Sequence, residues 1–437
     1  MLPSPSRREL FAIALRSMVN ATTAAPALAV GQALAAEDEH LLDDLCHRCF
    51  RYFWEQSDSN SGIARDRARA DGSLHAPEGR HVGSTGATGF ALTAFCIGAE
   101  RHWISRHEAR RRVAATLRSY ATGPIENIHG WFYHFVDVRS GTRYRDSEVS
   151  TSDSTWLVAG ALTARQYFKE DQQIARLASA IYQRVDYRWM LNQHPFFLAH
   201  GWKPETGFLK YRYDRYCQLA CMYLLGIASP TFALDPEAWY AWGREPFRYG
   251  SFDYYGHTLL WTYQFPFCWW DFRNRRESQG LRIDWFNNST IATRAHRAFC
   301  LALAQDFPSY SANIWGITSS DGPRGYQTWG GPPRTGHLDG SVVPCAAAGS
   351  LMFTPDICLP ALRAMKGSLE GGVYKRYGFV DAFNPQTRWQ AEDVIGIDVG
   401  VTLLSAENLR SGNVWKWFMA NPEAERAFAL ARIGRAE

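Results

Sequence analysis

Apolar positions recur at helical spacing along most of the chain. Between residues 39 and 54, Leu42, Leu45, Cys49, Phe50 and Phe53 share one helical face. The same reading predicts helices near 85–100, 105–119, 151–168, 171–188, 213–227, 284–305, 341–350, 356–368 and 397–410. No series of alternating short strands and no βαβ rhythm is visible. Long connections rich in Gly, Trp and Tyr lie at 122–150, 189–212, 243–283 and 306–340. Loops beyond ~15 residues inside a compact body are uncommon and often functional. No Pro/Ser-rich linker divides the chain. The expectation is one all-α domain over residues 36–437, with long Gly/aromatic-rich loops over one face. About a dozen helices closed as a ring of hairpins, an (α/α)6 barrel, suits this length, although a helical solenoid has the same periodicity.

The first 35 residues read differently. Ser6-Arg7-Arg8-Glu9-Leu10-Phe11 precedes an Ala-rich stretch, and Ala33-Leu34-Ala35 has the small-x-small form of a cleavage site. Arg16 and Asn20 interrupt the apolar run, which makes it a poor membrane anchor. We read residues 1–35 as a twin-arginine-like export signal and the remainder as an exported, periplasmic protein with no membrane anchor. The competing reading is an amphipathic first helix of the fold.

Charge and composition narrow the function. The 437 residues carry 47 basic and 43 acidic side chains, a net +4 that gives no reason to expect nucleic acid as a partner. Aromatic residues reach 14%, a surplus that suits a cleft stacking flat ligands such as sugar rings. The nine cysteines are mostly in apolar company, as in Ala94-Phe95-Cys96-Ile97, which reads as buried thiols. Cys46-x-x-Cys49 has no second CxxC to complete a zinc site. No metal and no cofactor is expected.

Four segments concentrate chemistry. Glu148-Val-Ser-Thr-Ser-Asp153 runs directly into the apolar stretch Trp156–Leu162. Ser150 and Asp153 have capping-box spacing, so Asp153 is a cap or a working carboxylate. Glu148 lies before the cap, at a helix mouth. The run 201–218 brings Trp202, Asp214 and Gln218. Asp214 and Gln218, four apart on the expected helix, would face one way and line a polar sugar site; otherwise Asp214 pairs with Arg212 or Arg215. The run 313–333 carries Trp315, Asp321, Tyr326 and Trp329 in a Gly/Pro-dense loop, followed by Asp339. Its rings stack sugars or plug a barrel end, and a carboxylate accepts strongly from paired hydroxyls. Asp398 opens the last predicted helix, where the free amide ends favour a negative group.

Taken in order, these segments resemble the bacterial glycoamylase-like family that includes the endo-β-1,2-glucanases. The resemblance rests on Glu148-Val-Ser-Thr-Ser-Asp153, Ala228-Ser-Pro-Thr231, Trp315-Gly-Ile-Thr-Ser-Ser-Asp321-Gly-Pro-Arg-Gly-Tyr326, Asp339-Gly-Ser-Val-Val-Pro344 and Phe353-Thr-Pro355. It continues through Tyr377-Gly-Phe-Val-Asp-Ala-Phe-Asn384, Ile397-Asp-Val-Gly400 and Glu407-Asn-Leu-Arg-Ser-Gly412, and covers roughly residues 40–430. It implies an (α/α)6 barrel and metal-free, anomer-inverting hydrolysis of β-1,2-linked glucans. Relatives include domains of cyclic β-1,2-glucan synthases, so transfer is a further possibility. The chain departs from the pattern at Gln218, where the family commonly has a glutamate. An amide cannot act as acid or base, though it can orient a hydroxyl or a water.

The expected mechanism pairs a protonated acid with a carboxylate on the water side. Glu148 is the expected general acid or its close partner, with Asp153 or Asp214 on the water side; the acid needs a pKa raised by burial or a neighbouring carboxylate. Trp202, Gln218, Trp315, Asp321, Tyr326, Trp329, Asp339 and Asp398 are the expected substrate contacts. The substrate would be a periplasmic glucan, linear, cyclic or otherwise modified. The rivals are a β-glucan-binding protein without catalysis, a transglycosylase, and a polysaccharide lyase on the same scaffold.

Overall fold

A computed structural model describes residues 34–75, 79, 81–334 and 336–436. Most of the proposed export signal therefore lies outside the described residues. No helix among the described residues is long and apolar enough to cross a membrane.

Helices of two kinds alternate along the chain. Those that are apolar all round must be buried on every side, whereas those with one apolar stripe lie on the outside. The first, α1 (Ala36–Gln56), is amphipathic. It is followed by α2 (Thr85–Glu100), buried from Thr85 to Ala99. The alternation continues with the Arg-rich α3 (Arg106–Ala121) and the buried α4 (Thr151–Tyr167). Next come the amphipathic α5 (Gln172–Arg184) and the fully buried α6 (Ala220–Ile227). Then follow α7 (Trp285–Ala302), the short buried α8 (Pro344–Ala348), α9 (Pro355–Lys366) and the buried α10 (Gly396–Arg410). Two short helices, α11 (Asn413–Met419) and α12 (Pro422–Leu430), end the chain. The molecule is an all-helical fold of paired, stacked helices.

Packing follows that alternation. Helix α2 lies along α4, and α10 packs against both α1 and α2, bringing the last buried helix beside the first. The α2–α4 crossing is backbone to backbone. A Cβ built on Gly160 would stand 2.0 Å from the Gly89 carbonyl oxygen, and one on Gly89 2.2 Å from that of Trp156. Only glycine at both positions permits this approach. On the outside, α1 is tied to late segments by ion pairs: Arg410 to Glu39 and Asp43, Arg363 to Asp38, and Arg376 to Glu55.

The expected helix over 213–227 is corrected by the structure. Residues 213–219 are irregular and α6 begins at Ala220. Asp214 and Gln218 therefore do not share a helix face. The long connections are not bare loops either. They fold into short strand pairs, such as Asn127–Ile128 with Trp131–Phe132, Pro246–Tyr249 with Phe252–Tyr255, and Ser320–Gly322 with Gly325–Gln327. Strands of two to four residues are too short to print a two-residue period on the sequence.

These strands position the site. Val82–Ser84 leads straight into α2, Val149–Ser150 into α4 and Asp393–Ile395 into α10. Arg67–Arg69 pairs with Asp393–Ile395, and Val82–Ser84 pairs with Phe135–Asp137. Asp66 joins the two pairs: its N–H donates to Val82 O at 3.0 Å, and its carbonyl accepts from Gly396 N–H at 2.7 Å. The N-termini of three buried helices thus gather around one mouth, with their unpaired amide ends favouring negative groups.

Candidate active site

The segment 148–153 builds the first half of the mouth. Ser150 caps α4, its Oγ accepting from Asp153 N–H at 3.3 Å. The reciprocal arm of a capping box is absent. Instead the Ser150 hydroxyl donates to Asp153 Oδ2 at 2.5 Å, leaving Oδ1 turned elsewhere. That oxygen lies 3.6 Å from His134 Nε2, while Nδ1 of the same ring is 3.0 Å from Glu148 Oε1. Asp153 is buried, whereas Glu148 keeps about a quarter of its side chain accessible (26%).

Burial raises the Asp153 pKa, and His134 and the Ser150 hydroxyl offset only part of that. For Glu148 burial also pushes upward, but the hydrogen bond and charge of His134 outweigh it, and the carboxyl lies below its usual value. This direction favours the ionised form of Glu148, which suits the close partner of an acid better than the acid itself. Burial would lower the His134 pKa, but the two carboxylates win and lift it to about 9.

The second half of the mouth comes from late segments. Asp381 Oδ2 accepts from the Asp321 N–H at 2.6 Å. Asp381 and Asp398 lie close enough for each to shift the other's titration. Asp381 Oδ1 is buried with no hydrogen-bond partner among the described residues, an environment that disfavours a second negative charge beside Asp398. Burial lifts the Asp398 pKa to about 7, although Asp381 and Cys345 pull it down. Burial and the adjacent Asp398 and Asp321 push Asp381 well above the carboxylate range. The Cys345 thiol stands 3.4 Å from Asp398 Oδ1, and a cavity of about 20 Å3 lies against the pair. Asp66 acts on both halves, raising the pKa of His134 and Asp153 on one side and of Asp321 and Asp398 on the other.

The remaining expected residues divide. Asp321 is held by Arg67 Nη1 at 3.1 and 3.2 Å, so its first partner is a guanidinium rather than a free sugar hydroxyl. Asp339 Oδ1 accepts from Ser341 N–H at 2.8 Å, a local turn. Trp315 and Trp329 are enclosed, at 0% and 2% exposure, and fill the interior rather than present open faces. Tyr326 is the opposite: its ring is 55% exposed, while its hydroxyl reaches Ser319 close to Asp398 and Asp381. Trp202 pairs with Val149 in the strands beside Glu148 and remains partly exposed. Asp214 forms an ion pair with Arg215 at 3.4 Å, and Arg212 instead donates to the carbonyls of Leu191 and Phe197. Gln218 sits in the turn before α6, partly buried. Cys46 and Cys49 are buried on α1, and burial lifts Cys46 to about 12.

His134, Asp66, Arg67 and the pairing of Asp381 with Asp398 were not identified from the sequence. His134 sits in Trp131-Phe-Tyr-His-Phe135, where a lone histidine among rings reads as core.

The all-helical scaffold thus gathers carboxylates over the N-termini of its buried helices. The family model "Glycoamylase", described as "Putative glucoamylase", matches residues 210–422. A curated relative from Parabacteroides distasonis, an exo β-1,2-glucooligosaccharide sophorohydrolase (non-reducing end), is 25% identical over 429 residues. The match covers 89% of this chain but only 57% of that protein's length. A glucoamylase-type structure from Bacteroides fragilis superposes with a TM-score of 0.82 at 25% identity, covering 95% of this chain and all of that one. The endo-β-1,2-glucanase of Chitinophaga pinensis, solved with sophorotriose and glucose, gives a TM-score of 0.83 at 23% identity over 92% and 99% of the two chains. Together these matches show the resemblance to the bacterial glycoamylase-like family related to the endo-β-1,2-glucanases.

Proposed function

We propose that this chain is a glycoside hydrolase acting on β-1,2-glucan, with its helices closed as an (α/α)6 toroid. The observation that carries the reading is the pair of acidic groups held at one mouth in opposite states. Burial and neighbouring carboxylates favour the protonated form at Asp381 and Asp398, while His134 favours the ionised form at Glu148. Cleavage of a glycosidic bond needs both: an acid to protonate the leaving oxygen and a carboxylate to draw the proton from water. Asp398, backed by Asp381, supplies the proton. Glu148, the more accessible carboxylate, takes one from the attacking water, with inversion at the anomeric carbon. Asp153 holds the geometry between them. Tyr326 and Trp202 offer faces for sugar rings, and Gln218 orients a hydroxyl. Closure of the toroid is supported by α10 packing on α1 and α2.

Endo cleavage of a glucan, linear or cyclic, is part of this proposal and follows the Chitinophaga likeness. Export to the periplasm is proposed from the sequence of residues 1–35. The test is incubation of the chain with linear and cyclic β-1,2-glucans, with products sized by mass spectrometry and the first-released anomer read by NMR. A spread of oligosaccharides with added water supports endo hydrolysis. Release of disaccharide alone means exo action, as named for the Parabacteroides relative. Products rejoined without added water mean transfer. If wild type turns glucan over, Asp398→Asn and Glu148→Gln each lower kcat by roughly 10²-fold or more. Binding of every glucan without turnover would leave a binding protein and defeat the proposal.

A further inference from the structure

His134 lies at the mouth and has no part in the chemistry proposed above. Its backbone is pinned on both sides. The N–H donates to Glu148 O at 2.8 Å, and the carbonyl accepts from Thr85 N–H at 3.0 Å, at the start of α2. Its ring stacks on Phe135, with centroids 3.8 Å apart and planes 19° from parallel. The imidazole is therefore fixed in place and in tilt, and each ring nitrogen meets a different carboxylate. Nδ1 faces Glu148 at 3.0 Å and Nε2 faces Asp153 at 3.6 Å. A neutral imidazole has one N–H and one lone pair, so it would set a lone pair against one of these oxygens. Only the imidazolium presents N–H to both.

We propose that His134 is the positioning residue of this site: wedged between Glu148 and Asp153, it aims the Glu148 carboxylate and holds that carboxylate's negative charge. The inference rests on the hydrolase reading for its kinetic consequence, but not for the geometry or the charge. The groups facing the ring come from three elements. Glu148 precedes the strand Val149–Ser150, Asp153 sits in the first turn of α4, and Asp66 precedes the strand Arg67–Arg69. Lys203 acts on Glu148 from the neighbouring strand, and Arg67 Nε pairs with Asp66 at 3.3 Å. Negative groups outnumber positive ones around the ring, which is why it stays charged in spite of burial. With the proton lost, the ring would have one N–H for two carboxylates, and Glu148 would lose its counter-charge. It would then rotate toward solvent or take up a proton itself, and either change removes a working base.

Three measurements test this. In wild-type chain labelled with 13C-histidine, one of the thirteen histidines titrates near pH 9. That titration moves toward the ordinary value of ~6.5 in Glu148→Gln. This readout needs neither substrate nor a folded His134 variant, so it stands even if no glucan is cleaved. His134→Gln keeps one donor and loses the charge. It lowers kcat about 10²-fold with KM within about 2-fold, as expected for a group acting through another residue. It also removes the second, more alkaline fall of kcat/KM that wild type shows as His134 loses its proton, and leaves the earlier fall that comes with loss of the Asp398 proton. A residue of purely structural importance would shift the unfolding midpoint without changing the pH profile. If no histidine titrates above about pH 8, or if folded His134→Gln keeps wild-type kcat and profile, the proposal is wrong.

Discussion

The glycine contact between α2 and α4 makes a prediction whose sign separates two effects. Replacing Gly160 by Ala improves intrinsic helix propensity by about 1 kcal/mol. Against that, the new Cβ would sit 2.0 Å from the Gly89 carbonyl oxygen. A carbon meets a carbonyl oxygen comfortably at roughly 3.3–3.6 Å, so about 1.3 Å of separation must be found. The opposing atoms are backbone on both sides, and both helices are buried, so no side chain can swing away. Overpacking at rigid sites costs typically 1–3 kcal/mol and sometimes more. With backbone displaced on two buried helices we place Gly160→Ala at the upper end, for a net loss of about 2 kcal/mol after the propensity gain. Gly89→Ala, with its Cβ 2.2 Å from the Trp156 carbonyl oxygen, behaves alike. The assay is the thermal unfolding midpoint by circular dichroism, with each variant beside wild type. Because α4 carries Asp153 in its first turn, turnover falls as well. An unchanged or raised midpoint in either variant would refute the contact argument and leave propensity in command.

Two further outcomes follow from buried groups away from the mouth. Glu277 Oε1 accepts from Trp239 Nε1, Trp285 Nε1 and Arg244 Nη2 at 2.8–3.0 Å, so Glu277→Ala strands a buried guanidinium and two indoles. Its cost is about 3–5 kcal/mol, read as a large fall in the unfolding midpoint with little change in KM. The thiols of Cys46, Cys96, Cys221, Cys300 and Cys358 are buried and their pKa values raised by that burial. These five thiols therefore react slowly with a disulfide reagent at pH 8 in the native chain and rapidly once unfolded, and fast native labelling of any of them would show that the helix carrying it opens readily.

The helices most legible in the sequence are the buried ones. For α2, the predicted 85–100 coincides with Thr85–Glu100, because an uninterrupted apolar run begins just after a capping serine. The predicted 397–410 falls one residue short of Gly396–Arg410. The expected helix over 213–227 holds only from Ala220 to Ile227; Tyr213, Tyr216 and Leu219 have helical spacing yet are buried in irregular backbone. Helices α11 and α12 were missed because they are short. At the site, Glu148, Asp153 and Asp398 stood out through their place before apolar runs. Their protonation states did not, since these depend on partners far away in sequence, such as Asp381 beside Asp321 and Asp398. The rings illustrate the same limit. A tryptophan in a Gly-rich loop suits a sugar platform and a plug equally well, and only the fold shows Trp315 enclosed and Tyr326 open.

The closing of α10 upon α1 and α2 also imposes an order of events. Glu148, Asp153 and His134 belong to the first half of the chain, while Asp381 and Asp398 arrive with its last sixth. Contacts between positions so distant form slowly, and the ion pairs of Arg363, Arg376 and Arg410 with α1 secure the join only once it is made. A folding intermediate lacking that join can hold nearly all its helix and still have half a site. On refolding, recovery of turnover should lag behind recovery of helical signal, and simultaneous recovery would mean that the two halves meet early. Until then the early and late carboxylates lie on segments that have not met, so on the reading proposed above the join between the chain's two ends doubles as the step that assembles the site.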